Sequence, residues 1–116
     1  MLALRLRRFR TKGDVVGAPP VIRAEMFAAV WTDRTRRTRL QQILGDLASE
    51  PETAADGRRA GEILGRLRKG PWVVSLVDAM LAAVAERTPA VVLTDDLQDF
   101  ARMREESGAA ATFLSV

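Results

Sequence analysis

The sequence predicts an α/β fold, one domain built on a parallel sheet, and three observations lead there. Short apolar runs of strand length alternate with longer stretches of helical periodicity, the pattern of strands joined by crossover helices. The chain has 116 residues, enough for one core and too few for two. Its composition, 47% hydrophobic and 28% charged, is that of a packed domain rather than a disordered one.

Taken in order, residues from about 2 to 11 alternate Leu, Phe and Arg so as to coat one side of a helix, broken at Lys12-Gly13-Asp14. Val15-Val16-Gly17-Ala18 is a short buried strand, closed by Pro19-Pro20. Pro20 suits the first turn of the next helix, where its missing N–H costs little. That helix, about 20–32, is apolar almost all round and is expected in the core. Residues about 34–48 form an amphipathic helix with Leu40, Ile43, Leu44 and Leu47 in one stripe. Ser49 to Thr53 reads as a turn or a poor strand. A helix over about 54–69 turns Ala60, Ile63, Leu64 and Leu67 inward and ends at Gly70. After Pro71, Val73 and Val74 lead into a helix over about 76–87, apolar on several sides. A strand, Ala90 to Leu93, precedes the loop Thr94-Asp95-Asp96. A helix over about 97–106, a connector at 108–111 and a strand from Thr112 to Val116 complete the chain.

Composition narrows the chemistry. Without cysteine or histidine there is no disulfide, no thiolate site and no imidazole base. Any metal would be held by carboxylate oxygens, which favours Mg²⁺ or Mn²⁺. No apolar run approaches the roughly 18 residues of a membrane span. The basic start lacks the continuous apolar stretch of a secretory signal, so a cytoplasmic location is expected. The net charge is +3, and arginines gather at Arg5 to Arg10 and at Arg34, Arg36, Arg37 and Arg39. Guanidinium groups suit bidentate phosphate contacts; a solvated helix face or a partner-binding rim explains the same runs.

Several acids occupy unusual places. Glu25 lies in the most apolar helix, where an unpaired buried carboxylate costs several kcal/mol. It needs a partner, a metal or a cleft, unless it marks that helix's exposed edge. Asp78 opens a nearly all-apolar helix, where the helix dipole welcomes it and Ser75-Leu76-Val77-Asp78 reads as a capping box. Asp95, Asp96 and Asp99 follow a buried strand, where open α/β sheets place ligands; Asp96 as a cap with Asp99 in the first turn is the plain alternative. Should these elements converge, the carboxylates would need a cation to hold them together.

The stretch Val77-Asp78-Ala79-Met80-Leu81-Ala82-Ala83-Val84-Ala85, followed by Val91-Val92-Leu93-Thr94-Asp95-Asp96-Leu97-Gln98-Asp99-Phe100, resembles the PIN-domain family of VapC-type toxin ribonucleases. Pro19-Pro20-Val21-Ile22-Arg23-Ala24-Glu25-Met26 is similar to that family's proline-led helix with its acid. The resemblance covers the chain from about residue 5. It implies a three-layer fold, a central parallel sheet flanked by helices, over a single domain of residues 1–116. It implies that Glu25, Asp78 and Asp96 are the catalytic, metal-binding acids, that Asp99 is a further metal ligand, and that Thr94 supports them. It also implies Mg²⁺ or Mn²⁺ as cofactor, RNA as substrate, an antitoxin-like protein as partner, and a homodimer.

In one respect the chain departs from the family pattern. The family begins with a central strand carrying an aspartate; here the only acid before Glu25 is Asp14, in a turn. The expectation is a domain lacking its first strand, through an upstream start or degeneration. Three readings stand: a metal-dependent endoribonuclease, a non-catalytic remnant that binds an antitoxin-like partner or itself, and an unrelated α/β domain whose acids are helix caps.

Overall fold

The computed structural model describes residues 17–67, 74–88, 91–94, 97–109 and 112–115, with side chains described for these except 93, 94 and 112–115. The expected helix at 2–11, Val15, Val16, Gly70, Pro71, Val73, Ala90 and the Asp95-Asp96 pair lie outside the described residues. The chain forms two compact units, residues 1–51 and 52–116.

Among its described residues the first unit holds two helices. Helix α1, Pro20–Val30, starts where its prolines dictate: Pro19 is the N-cap residue and Pro20 takes the first helical position. The Pro19 carbonyl accepts from the N–H groups of Ile22 and Arg23 at 3.0 and 3.1 Å. Helix α1 was expected in the core, and this is corrected: none of its residues is buried. Val21, Ile22, Met26, Phe27 and Val30 are half-buried, while Ala24, Glu25, Ala28 and Ala29 are exposed. Alanine carries little apolar surface, so an alanine-rich face can meet water at small cost. Apolar composition therefore overstated the need for burial. Helix α2, Arg34–Gly45, begins at Asp33, whose side chain accepts from the Arg36 N–H at 3.1 Å. Its stripe of Leu40, Ile43 and Leu44 faces inward, with Leu44 buried, and α1 packs against α2.

The strand expected at 15–18 is present among the described residues as one parallel bridge, Gly17 to Ala48. The Ala18 N–H donates to the Ala48 carbonyl at 2.9 Å. A Cβ on Gly17 would stand 3.0 Å from the Ala48 oxygen, so glycine permits the approach. Arg23 secures the same corner. Its Nε donates to Ala18 O at 2.7 Å, Nη1 to Leu44 O at 3.2 Å, and Nη2 to Leu47 O at 3.0 Å and Ala48 O at 3.1 Å. One guanidinium thus ties the Ala18 carbonyl to those of Leu44, Leu47 and Ala48 at and beyond the end of α2.

The second unit is built on helices α3 (Ala54–Leu67), α4 (Leu76–Arg87) and α5 (Leu97–Ser107) and strands β1 (Val91–Thr94) and β2 (Thr112–Ser115). The predicted inward positions of α3 hold: Ala60, Ile63 and Leu67 are buried and Leu64 packs beside them. On α4, Ala79, Ala82, Ala83 and Ala85 are buried, and their small side chains let α3 approach closely. Phe100 and Met103 of α5 and Val92 of β1 join the same core. Strands β1 and β2 are parallel, in the register Val91 to Thr112 through Thr94 to Ser115, with α5 as the crossover. Strand β1 reaches one residue further than expected, so Thr94 ends the strand rather than opening the loop. Beyond α5, Gly108 has φ +71°, a conformation suited to glycine. The Ala109 N–H there donates to Met103 O at 3.3 Å. Among the described residues, no helix is long and apolar enough to cross a membrane.

Candidate functional site

Each expected acid can now be located. Glu25 is exposed on α1, in the first unit, as the edge-of-helix alternative required. Asp78 is half-buried in the first turn of α4, in the second unit. Its N–H donates to the Ser75 hydroxyl at 3.1 Å, so the Ser75 half of the expected capping box is formed. Asp99 is half-buried in the first turn of α5. Both carboxylates lie in first turns, at the positive ends of helix dipoles, where an acid supports the helix. Thr94 ends β1, paired with Ser115, and Asp96 lies outside the described residues. Helix α4 packs on both β1 and α5, so the elements carrying Asp78, Thr94 and Asp99 are neighbours. Among the described residues no group of three acids is gathered to hold a metal ion.

The second unit also holds a polar cluster that the sequence pattern did not announce. Asp56, on the first turn of α3, is 2% exposed. It accepts from Arg87 Nε at 2.9 and 3.1 Å and from Arg87 Nη2 at 2.9 Å. It also completes a reciprocal capping box: the Thr53 N–H donates to Asp56 at 2.9 Å, and the Asp56 N–H to the Thr53 hydroxyl at 3.2 Å. The Arg87 hydrogen bonds, with help from Thr53 and against burial, hold the Asp56 carboxyl below its ordinary pKa. One turn along, Arg59 donates to both oxygens of Glu86 at 2.9 and 3.1 Å and meets Glu62 at 3.2 Å. Glu86 chiefly raises the Arg59 pKa. Residues 56 and 59 on α3 thus grip residues 86 and 87 at the end of α4. Thr53-Ala54-Ala55-Asp56 carries the same capping signature as Ser75 to Asp78 and could have been read from sequence. Its partner Arg87 could not.

Chemically, the expected donors suit a hard divalent cation. Carboxylates and a hydroxyl are oxygen ligands, and the chain offers no histidine or cysteine to compete for a softer metal. No buried side-chain polar atom among the described residues lacks a partner. The fit therefore rests on donor type and on half-exposed positions that solvent ions can reach.

Comparison with known proteins links the chain to a sequence family and to a solved structure. The sequence profile described as PIN domain matches residues 2–106. A chain in the crystal structure of VapBC2 from Rickettsia felis, bound to a DNA fragment from their promoter, shares the fold with a TM-score of 0.78. The alignment has 16% identity and covers 97% of this chain and 82% of that one. No curated protein sequence matches the chain.

Proposed function

The chain belongs to the PIN-domain family, and on that premise we propose that it is a VapC-type, metal-dependent endoribonuclease. Glu25, Asp78 and Asp96 are the metal-binding acids in this reading, Asp99 is a further ligand, and Thr94 supports them. The observation that carries it is the family match over residues 2–106. The second unit adds support. Only residues 88–90 link the end of α4 to β1, and α4 packs on β1. Packed elements joined by so few residues run in opposite directions, which favours a meeting of the α4 N-terminus with the carboxyl end of β1. That is the end of a parallel sheet where ligands bind.

Glu25, Asp78, Asp96 and Asp99 would hold a Mg²⁺ or Mn²⁺ ion, which would acidify a water and offset charge on the scissile phosphate. The protein's own share is positional. Ser75 fixes the first turn of α4 and hence Asp78. The Asp56–Arg87 and Arg59–Glu86 pairs fix α4 against α3. The wider family picture belongs to the proposal: one domain over residues 1–116, a central sheet with helices on both faces, a homodimer, an antitoxin-like partner and a cytoplasmic setting. The Rickettsia felis structure contains a VapBC pair, which supports the choice of partner.

A second reading is a non-catalytic protein that binds an antitoxin-like partner or another copy of itself. Incubating the chain with structured and unstructured RNAs, with Mg²⁺ or with EDTA, separates the two. Metal-dependent cleavage abolished by Asp96→Asn supports the nuclease. Absence of cleavage with retained partner binding supports the second reading.

A further inference from the structure

Trp31 is 59% exposed, although a tryptophan offers about 150–250 Å² of surface that folding could bury. It follows α1 directly, at the turn into α2. The ring is held in place: the Arg37 guanidinium lies 4.9 Å from its centroid, and Arg37 Nη1 donates to the Trp31 carbonyl at 2.8 Å. In the helix that follows, Arg34, Arg36 and Arg39 are exposed. The stretch from Trp31 to Gly45 carries four arginines against one aspartate. That aspartate, Asp33, is already engaged with the Arg36 N–H and, at 3.6 Å, with Arg36 Nε. Helix α2 has no acid in its first turn, so its cations stand at the positive end of the dipole, an arrangement that costs local stability. An exposed ring and self-repelling cations are both poor choices for folding alone.

We propose that Trp31, with Arg34 and Arg37, is a docking platform for single-stranded RNA. A base stacks on the indole, and the guanidiniums hold the adjoining phosphates. Arg34 and Arg37 are three residues apart and share a face of α2, and Arg37 ties that face to the ring. The pairing of a flat π-surface with fork-shaped donors matches a ligand that alternates bases and phosphates. An acidic peptide would use the cations and leave the ring idle. A duplex would keep its bases stacked and out of reach. The choice of RNA as the strand rests on the nuclease reading; the platform itself involves none of the proposed metal-binding acids.

The test is fluorescence anisotropy of a labelled oligouridylate with the full chain in EDTA, where cleavage is absent. Trp31→Ala weakens binding roughly 10- to 100-fold, the range expected for one stacked base, while Trp31→Phe recovers most of the affinity. Arg34→Gln/Arg37→Gln reduces the steepness of the salt dependence by about 0.7 per lost phosphate contact. Thermal melts confirm that the variants fold. Unchanged binding by Trp31→Ala overturns the proposal, as does a Phe variant as weak as the Ala variant. Displacement of the oligonucleotide by an aspartate-rich peptide that binds equally well to Trp31→Ala also overturns it and identifies a protein-binding face. A chain that binds RNA through Trp31 in EDTA yet cleaves nothing with metal present would sink only the nuclease reading.

Discussion

The two units are held together by different means. In the second, a continuous apolar core runs through α3, α4, β1 and α5, with Ile63 and Met103 fully excluded from solvent. Paired charges brace its α3–α4 seam. In the first, the buried residues among those described are Ala18, Pro19 and Leu44, and α1 has only half-buried and exposed ones. What holds its corner is one guanidinium on four backbone carbonyls. The difference separates scaffold from surface. The packed unit fixes Asp78 and Asp99 on helix starts, while the thinner unit displays Glu25, Trp31 and the arginines of α2.

If that contrast is right, the largest loss among the substitutions considered comes from the charged seam of the packed unit. Asp56→Ala strands Arg87 and removes half of a capping box. The expected cost is about 3 kcal/mol, at the low end for a broken buried pair because the Arg87 side chain is 32% exposed. Denaturant melts at neutral pH measure it. The same residue makes stability depend on pH. Its folded pKa lies below its unfolded value, so its contribution is complete above the ordinary carboxylate range and is lost as pH falls through the lowered folded pKa. Asp56→Asn should therefore flatten the acid limb of the stability profile, and an unaltered limb would contradict the assignment.

Next comes the thinner unit. Arg23→Ala should cost about 2 kcal/mol, in the range for charge-assisted hydrogen bonds. Hydrogen exchange at Ala18 should accelerate while the amides of α3 and α4 stay protected. Equal loosening of α3 and α4 would show that the two units do not differ as described. The smallest effect is that of Ser75→Ala, about 1 kcal/mol for a lost N-cap, read as a modest fall in melting temperature.

The same contrast explains how much the sequence could disclose. In the packed unit, the stripe at Ala60, Ile63, Leu64 and Leu67 and the run Ala79 to Ala85 located α3 and α4 closely, because burial and helical period agree there. Ser75 and Pro20 marked helix starts, because capping and the proline ring act locally. The Asp56–Arg87 pair escaped because its partners lie 31 residues apart, and only the packing of α3 on α4 joins them. Helix α1 was expected in the core because its alanines and larger apolar residues carry equal weight in composition but unequal weight in burial. The role of Arg23 was hidden for a related reason: its partners are backbone carbonyls, which no side-chain pattern announces. Of the acids, the sequence placed Asp78 and Asp99 in the first turns of helices, as found, and held Glu25 on an exposed face among its alternatives.

Manganese titration followed by electron paramagnetic resonance addresses the metal chemistry directly, comparing the native chain with Glu25→Gln, Asp78→Asn and Asp96→Asn. Saturable binding of the ion, weakened at least tenfold by each change while the melting temperature holds, is the predicted result. Binding that is absent from the native chain, or untouched by all three changes, would contradict the account.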